Sequence, residues 1–592
     1  MHISNKELVH LLRSVAAAYL LNGANRFRII AYEKAADVIE HLTQDVYDAW
    51  ENEGLKGIDD IDGIGPTISK HLHEYFTQIE GSYLDEQLKS IPAPVYELML
   101  APGIGPKKAF RIVNEFGLTD KETVFEDVQK LAAENKISVL DGFGIKSEAD
   151  VVKAIITHLG RAGKEERMTL PDAYVLAEHI MDHVQQCEGV EHVEALGSLR
   201  RMVSTIGDID LAVIAKENTY EKILAHFVSY PQAATIESQG NNKAAIITKN
   251  GIRIDLRIVD RERYGSMLQY FTGSKAHNIK LREYALKKGF SLNEFGIKNL
   301  HTGEVAVFDN EKAFYNHLSL PYIEPELREG TDEVRQAAAK KLPLLVELKD
   351  IKGEFHIHSS FPIEPSHDVG LHSFEEMIAE AHSLEYTFLA FSEHNPSVLK
   401  HNDEQMIQLI RQKKESLIEI GKKYPDMLLL NSLEVDILPN GNLAIPEAAS
   451  EYLDLVVVSV HSAFTQDRDK MTQRILKALT FPKVKIFAHP TARLINQREE
   501  IDADWDLIFR EAKSRNIALE INAYPNRLDL PDAMARRAIE LGCKLVIDTD
   551  AHDKDAMSLM FFGVGVARRG WVEKKSIINT YNISDLTSWL RE

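Results

Sequence analysis

From residue 351 onward, seven apolar runs of strand length alternate with amphipathic helical stretches: IKGEFHIH, YTFLAFSEH, MLLLNSLEVDI, LVVVSVHS, KIFAHP, IALEINAY and KLVIDTDAH. Seven βα units in series leave few folds open. They predict a parallel barrel or a doubly wound sheet. The strand ends carry the chemistry: HIH (356–358), SEH (392–394), LEVD (433–436), VSVHS (458–462), AHP (488–490) and DTDAH (548–552). In a parallel barrel, that end of the strands is where active sites form. One histidine after a strand is usually a packing residue. Six strand ends bearing His, Glu or Asp point to a metal site, and imidazole with carboxylate suits Zn, Mn or Fe better than calcium.

A second signal lies in LGSLRRMVSTIGDIDLAVI (196–214). Asp208 and Asp210 are two apart at the start of an apolar strand, so period-two geometry puts both carboxylates on one face. In GIRIDLRIVD (251–260), Arg253, Asp255 and Arg257 share one face of another strand. Three carboxylates on adjacent strands make a hard-oxygen site for two magnesium ions. Such a pair can activate an attacking 3′-hydroxyl and stabilise a leaving pyrophosphate. Ser198 offers a hydroxyl to a phosphate, and Arg201 a fork of donors.

The N-terminal 165 residues read as short helices joined by glycine turns. IDGIGPTISKHL (61–72) and APGIGPKKAFRIV (101–113) share a Gly-apolar-Gly turn followed by a helix, with LDGFGIKSEADVV (140–152) a weaker copy. Gly63 and Gly65, like Gly103 and Gly105, make a tight turn, and the following helix presents free N–H groups to a phosphate. The pattern resembles the helix-hairpin-helix motif, which holds a DNA backbone without reading sequence. Lys107, Lys108 and Arg111 can add phosphate contacts. The net charge of −21 excludes a blanket of positive charge. DNA must be held by a few placed cations and N–H groups, so binding is expected to be modest and salt-sensitive.

With YFTGSKAHNIKLREYALKKGFSLNEFGI (270–297), residues 1–322 resemble DNA polymerase family X. The resemblance implies that Asp208, Asp210 and Asp255 hold metal and that Arg253 orients Asp255. It implies that Ser198 and Arg201 contact the triphosphate. Tyr270, Phe271 and Gly273 would pack against the incoming sugar, and Asn278 and Arg282 would reach the nascent pair and the template. Lys275 stands where some relatives place an acidic residue. The Schiff-base lysine of the family's lyase activity falls on His71, with Lys70 on another side of the helix, so that activity is expected to be negligible.

The C-terminal segment resembles the polymerase and histidinol phosphatase (PHP) domain, a distorted (β/α)7 barrel holding up to three ions. His356, His358, His394, Glu434, His461, His489, Asp550 and His552 match its ligands. Arg493 and Arg527, in HPTARL and LEINAYPNRLDLPD, are expected phosphate contacts. The loop aspartate usual in that family falls on Ile363; Glu364 or Asp368 could take its place.

The expected division is helical residues 1–80, a second clamp 81–165, a catalytic palm 166–262 of mixed sheet and helices, a nucleotide subdomain 263–322, a linker with one helix 323–350, and the barrel 351–592. The expected function is template-directed gap filling in base excision repair with Mg2+, joined to Mn2+- or Zn2+-dependent 3′–5′ trimming and cutting at abasic sites. The substrates are gapped or primer-template DNA and dNTPs. Two alternatives stay open: a polymerase whose PHP domain is structural, and a template-independent nucleotidyltransferase. Two cysteines exclude a disulfide framework, and no apolar run approaches a membrane span. A cytoplasmic monomer is expected.

Overall fold

A computed structural model describes residues 3, 5–40, 46–59, 61, 64–77, 81–101, 103–140, 142–144, 147–152, 154–155 and 167–592. They form two compact units divided between residues 166 and 167.

The first unit is helical. Its two hairpin turns lead into α1 (Pro66–Thr77) and α2 (Pro106–Phe116). Each turn is pinned by the apolar residue after its first glycine, because Ile64 and Ile104 are buried. Gly103 has φ 89°, where a side chain would be strained. Gly105 caps α2 in extended conformation, leaving Lys107, Lys108 and Arg111 exposed along the helix. Gly63 lies outside the described residues, and the weaker third copy is described only in part.

The second unit opens with a five-stranded mixed sheet, of order β1-β2-β5-β4-β3. The strands are β1 (Val190–Ala195), β2 (Asp208–Ala215), β3 (Ala233–Gln239), β4 (Lys243–Thr248) and β5 (Arg253–Val259). Alternation works as the sequence indicates. Ile209, Leu211 and Val213 of β2, and Ile254, Leu256 and Ile258 of β5, enter the core, so the aspartates face the other way. β2 and β5 run parallel, with Asp210 opposite Asp255 and Asp208 opposite Arg253.

Beyond β5 come α3 (Tyr264–Thr272), α4 (Lys275–Lys287) and a small three-stranded antiparallel sheet over residues 290–306. Residues 323–350 contain the one expected helix, Glu333–Ala338. They do not span open space as a linker would, because Ile323, Leu327, Val334 and Ala337 are core partners of Leu281, Phe314 and Tyr315. Arg328 is fully buried and donates to Glu311 at 2.5 Å, while Arg200 reaches the same carboxylate at 2.7 Å.

The C-terminal part holds parallel strands throughout: β6 (Gly353–Ile357), β7 (Phe388–Phe391) and β8 (Leu428–Asn431) in one sheet, and β9 (Glu434–Asp436), β10 (Val456–Ser459), β11 (Val484–Phe487), β12 (Ala518–Asn522) and β13 (Leu545–Asp548) in another. Isolated parallel bridges join His394 to Glu434 and Ile357 to Ala551. Alternate residues enter two separate cores. Phe355, Phe388, Val457, Ile486 and Val546 pack with Trp589 and Leu586, while Leu389, Val458, Phe487, Leu519 and Ile547 join the larger core. Strands buried on both faces explain the near-continuous apolar runs. That larger core is continuous with the first sheet through α5 (Met560–Arg569), where Met202 meets Gly565. Among the described residues, no helix is long and apolar enough to cross a membrane.

Removing one partner of a buried ionic group leaves the others uncompensated, at about 3–5 kcal/mol. Glu311 serves Arg200, Arg328 and Tyr322. Glu311→Ala should therefore lower the stability of the second unit by about 3 kcal/mol in urea unfolding, and Arg328→Met in the same chain should recover much of it. A loss under about 1 kcal/mol would show that water replaces the carboxylate.

Candidate active sites

At the first sheet, the site grows from one glycine. Gly197 opens the short helix Gly197–Arg200 with φ 59°, and a Cβ there would lie 2.6 Å from Asp210 Oδ2. Only glycine lets this turn approach the carboxylate. Asp255 is gripped by the Arg253 guanidinium at 3.0 and 3.2 Å, and Arg253 also reaches Glu237 at 2.9 Å. Asp208 is exposed and Asp210 half-buried. Burial, with Asp208 and Asp255 beside it, pushes Asp210 up to about 6. Burial also raises Asp255, against the pull of Arg253 and Arg257. Carboxylates so raised are poised to take up a cation.

Ser198 lies in the same turn as Gly197. Arg201 is already engaged: its guanidinium donates to the Thr272 carbonyl at 2.5 Å and to Glu329 at 3.0 Å. Gly273 follows α3 with φ 67°, and a Cβ there would crowd Arg201 at 3.3 Å. The rings of Tyr270 and Phe271 meet edge to face at 5.0 Å. Arg257 lies 4.1 Å over Phe271 and Arg282 5.6 Å over Tyr270. Asn278 is buried, donating to the Tyr270 carbonyl at 2.7 Å and accepting from Gln269 at 2.8 Å. It ties α4 to the end of α3. Lys275 is exposed at the start of α4.

In the first unit, His71 Nδ1 pairs with the Tyr32 hydroxyl at 2.5 Å, and its ring stacks on Tyr83 at 4.1 Å. Lys70 is exposed.

In the C-terminal part, the strand ends converge on Glu434. Its carboxylate lies 3.3 Å from His356, 3.8 Å from His358, 2.9 Å from His394, 3.2 Å from His461 and 2.8 Å from His489. Asp550 stands 3.4 Å from His356, 3.1 Å from His358 and 3.8 Å from His552. Burial alone would raise Glu434, but His394, His461 and His356 hold it well below the usual carboxylate range. Burial, with Arg527 nearby, pushes His489 down to about 3.

The donor set fits metal ions. His356 Nε2, both nitrogens of His358, His394 Nδ1, Glu434 Oε2 and Asp550 Oδ1 are buried without a hydrogen-bond partner. In each of the groups His356–His358–Glu434–Asp550, His358–His394–His552 and His394–Glu434–His461, the ligand atoms lie within 4.8 Å of one another. Buried lone pairs aimed at one another are costly unless a cation fills the space between them.

Of the two residues open as the missing loop ligand, the fold brings in Asp368, 3.0 Å from His394 and 3.3 Å from His552. Glu364 turns away to His401 at 3.4 Å, and Ile363 is buried apolar packing. Arg527 is 3.8 Å from Asp550, and its NH1 is buried without a partner. Arg493, expected as a phosphate contact, instead donates to the carbonyls of Arg527 at 2.8 Å and Leu528 at 2.5 Å. It shapes the loop that carries Arg527.

Two carboxylates not singled out in the sequence hold the clustered histidines from behind. Glu520 accepts from His356 Nδ1 at 2.7 Å and from the His489 backbone at 2.6 Å. Asp436 accepts from His461 Nδ1 at 2.7 Å and lies 3.0 Å from His367. Carboxylates behind ligating histidines fix the tautomer and the ring. Asp436 was recoverable, since it lies two residues from Glu434 on the same strand face.

Over 592 residues the chain is 32% identical to the DNA polymerase/3′-5′ exonuclease PolX of Bacillus subtilis (strain 168), an alignment covering 99% of each. The chain belongs to the bacterial PolX family. Within the PolX frame, the DNA polymerase beta thumb matches residues 267–329. A helix-hairpin-helix domain matches 3–80, and a SAM-like helix-hairpin-helix tandem 55–118. A DNA polymerase lambda of Arabidopsis thaliana is 22% identical over 361 residues, 55% of this chain and 62% of the relative. A probable phosphatase of Clostridium acetobutylicum is 28% identical over 147 residues, 23% of this chain and 56% of the relative.

Burial and the neighbouring carboxylates hold Asp210 above the ordinary aspartate range. Its ionised form is penalised in the folded protein, so the stability this group adds is present below about pH 4 and lost as pH rises through about 6. In metal-stripped protein, Asp210→Asn should stabilise by about 1–2 kcal/mol at pH 7.5, a figure discounted for part exposure, with the gain shrinking toward pH 5. Added divalent cation should narrow the gap by stabilising only the aspartate form. A destabilised variant at pH 7.5 would contradict the geometry.

Proposed function

We propose that this chain fills short gaps in DNA by template-directed nucleotidyl transfer, and that a separate C-terminal site trims 3′ ends and cuts at abasic sites, together serving base excision repair. Family membership supports both chemistries, and both families are metal-dependent. The observation that carries the polymerase half is the parallel register of Asp210 with Asp255, beside a turn that only glycine can form.

In this reading Asp208, Asp210 and Asp255 hold Mg2+, since the donors are all oxygen. Divalent ions held by these three carboxylates would supply activation of the primer 3′-hydroxyl and charge stabilisation for the departing pyrophosphate. Ser198 and Arg201 receive the triphosphate. Tyr270 and Phe271, with Gly273 after them, wall the sugar. Asn278 and Arg282 face the nascent pair and the template. The turns at Gly63–Gly65 and Gly103–Gly105, with Lys107 and Lys108, clamp the DNA backbone through phosphates. His71, paired with Tyr32, offers no amine for a lyase.

The two parallel sheets and their isolated bridges support a distorted (β/α)7 barrel for residues 351–592. His356, His358, His394, Glu434, His461, His489, Asp550 and His552 would hold Mn2+ or Zn2+, with Asp368 completing the set. Arg527 would receive the scissile phosphate. We take the protein to act as a monomer in the cytoplasm.

Asp208→Asn or Asp255→Asn should lower single-nucleotide gap filling by at least about a thousandfold while DNA affinity stays within about threefold. Near-normal extension by either would refute the assignment. Independently, His356→Ala should abolish Mn2+-stimulated 3′ trimming by the full chain and leave gap filling within about twofold. Trimming that survives this change would place the nuclease elsewhere.

A further inference from the structure

The turn read above as the triphosphate cradle is held from outside its own sheet. Helix α5 belongs to the C-terminal part, and its last residue, Arg569, is 8% exposed at the side chain. Arg569 Nη1 donates to the backbone carbonyl of Arg201 at 2.8 Å and to Glu329 Oε1 at 2.8 Å. The same Glu329 oxygen accepts from Arg201 Nε at 3.0 Å. The other arm of Arg569 is anchored by Asp532 at 2.7 Å.

One turn of α5 earlier, Gly565 seats Met202. A Cβ at Gly565 would stand 2.5 Å from Met202 Cε, and Met202 has φ 56°, a conformation that needs outside support in a non-glycine residue. The Arg201–Met202 turn is therefore fixed at its carbonyl, at its guanidinium and at the following side chain. Two of these three holds come from α5, and the third is a carboxylate that α5 shares. Among the described residues, the side-chain bonds of Asp532 and Arg569 go to each other, to Arg201 and to Glu329, and to none of the histidines around Glu434.

We propose that Arg569 is a positioning residue for nucleotide insertion: from the C-terminal domain it fixes the Arg201 backbone and, through Glu329, aims the Arg201 guanidinium at the incoming triphosphate. The proposal rests on the reading of Arg201 as a triphosphate contact. It makes the C-terminal domain part of the polymerase's substrate site, in addition to any nuclease function. A guanidinium held in place before the substrate arrives forms its bonds without a further ordering penalty. Loss of that hold should appear in nucleotide affinity before it appears in turnover.

The test is single-nucleotide gap filling by the full chain carrying Arg569→Ala, Arg569→Lys, Glu329→Gln or Arg201→Ala. KM for dNTP, kcat and DNA affinity are measured beside Mn2+-stimulated 3′ trimming and thermal midpoint. Arg569→Ala is expected to raise KM for dNTP about tenfold, with kcat and DNA affinity within about twofold and trimming unchanged. Arg569→Lys should recover part of the loss, and Glu329→Gln should resemble Arg569→Ala. If Arg201→Ala raises KM while Arg569→Ala and Glu329→Gln do not, the relay is wrong and the reading of Arg201 stands. If Arg201→Ala leaves KM unchanged, the reading of Arg201 itself fails and the proposal with it. A lower KM in Arg569→Ala or Glu329→Gln would mean that Glu329 withholds Arg201 from the nucleotide, which also overturns the proposal. Equal loss of insertion, trimming and thermal midpoint in both Arg569→Ala and Arg569→Lys would reduce Arg569 to a structural contact.

Discussion

Glu434 is buried at a point where five imidazoles converge, and the C-terminal half is organised around that contact. A carboxylate placed there has lost water and gained histidines whose lone pairs also lack partners. Such a cluster is tolerable only if positive charge compensates it, from imidazolium protons or from metal. Parallel strands make the arrangement possible. Each strand releases its chain at the same edge, so residues as distant in sequence as His356 and His552 arrive at one place with their orientation set by strand registers. Glu520, Asp436 and Arg493 then hold rings and loops from behind.

The first sheet applies the same logic with oxygen alone. Asp210 and Asp255 stand side by side because β2 and β5 are parallel and in register, and the price is mutual repulsion in a partly dry setting. Gly197 brings a turn against that pair where any side chain would collide. The support for this turn comes from a wide span of sequence. Arg200 reaches Glu311, Arg201 reaches Glu329, and Arg569 reaches both Arg201 and Glu329. The two clusters thus draw on separate residues but share a core through α5.

Much of this was legible in the sequence because it depends on period and spacing. The alternation in DIDLAVI and RIDLRIV gives the face of each aspartate, and the apolar runs ending in histidine give the strand ends. What was not legible depends on tertiary context. β3, AATIESQ, is an exposed strand with little apolar signal, paired only with β4. Asp368 could not be chosen over Glu364 by spacing, since the loop between them decides which carboxylate faces His394 and His552. Residues 323–350 look like a charged linker because the burial of Arg328 depends on Glu311, which lies outside the segment. Arg493 and Arg527 carry the same sequence signal, yet Arg493 is tied to one loop's carbonyls while Arg527 Nη1 is buried without a hydrogen-bond partner.

We propose that the pocket around Glu434 is a multi-metal site completed by Asp368. Anomalous scattering from crystals of the full chain grown with Mn2+ tests it most directly. Peaks are expected within bonding distance of Glu434, on the side of His356, His358 and Asp550 and on the side of His394 and His461, with Asp368 bonded to an ion beside His394 and His552. Crystals with ions at Asp208, Asp210 and Asp255 but no anomalous peak near Glu434 would contradict it.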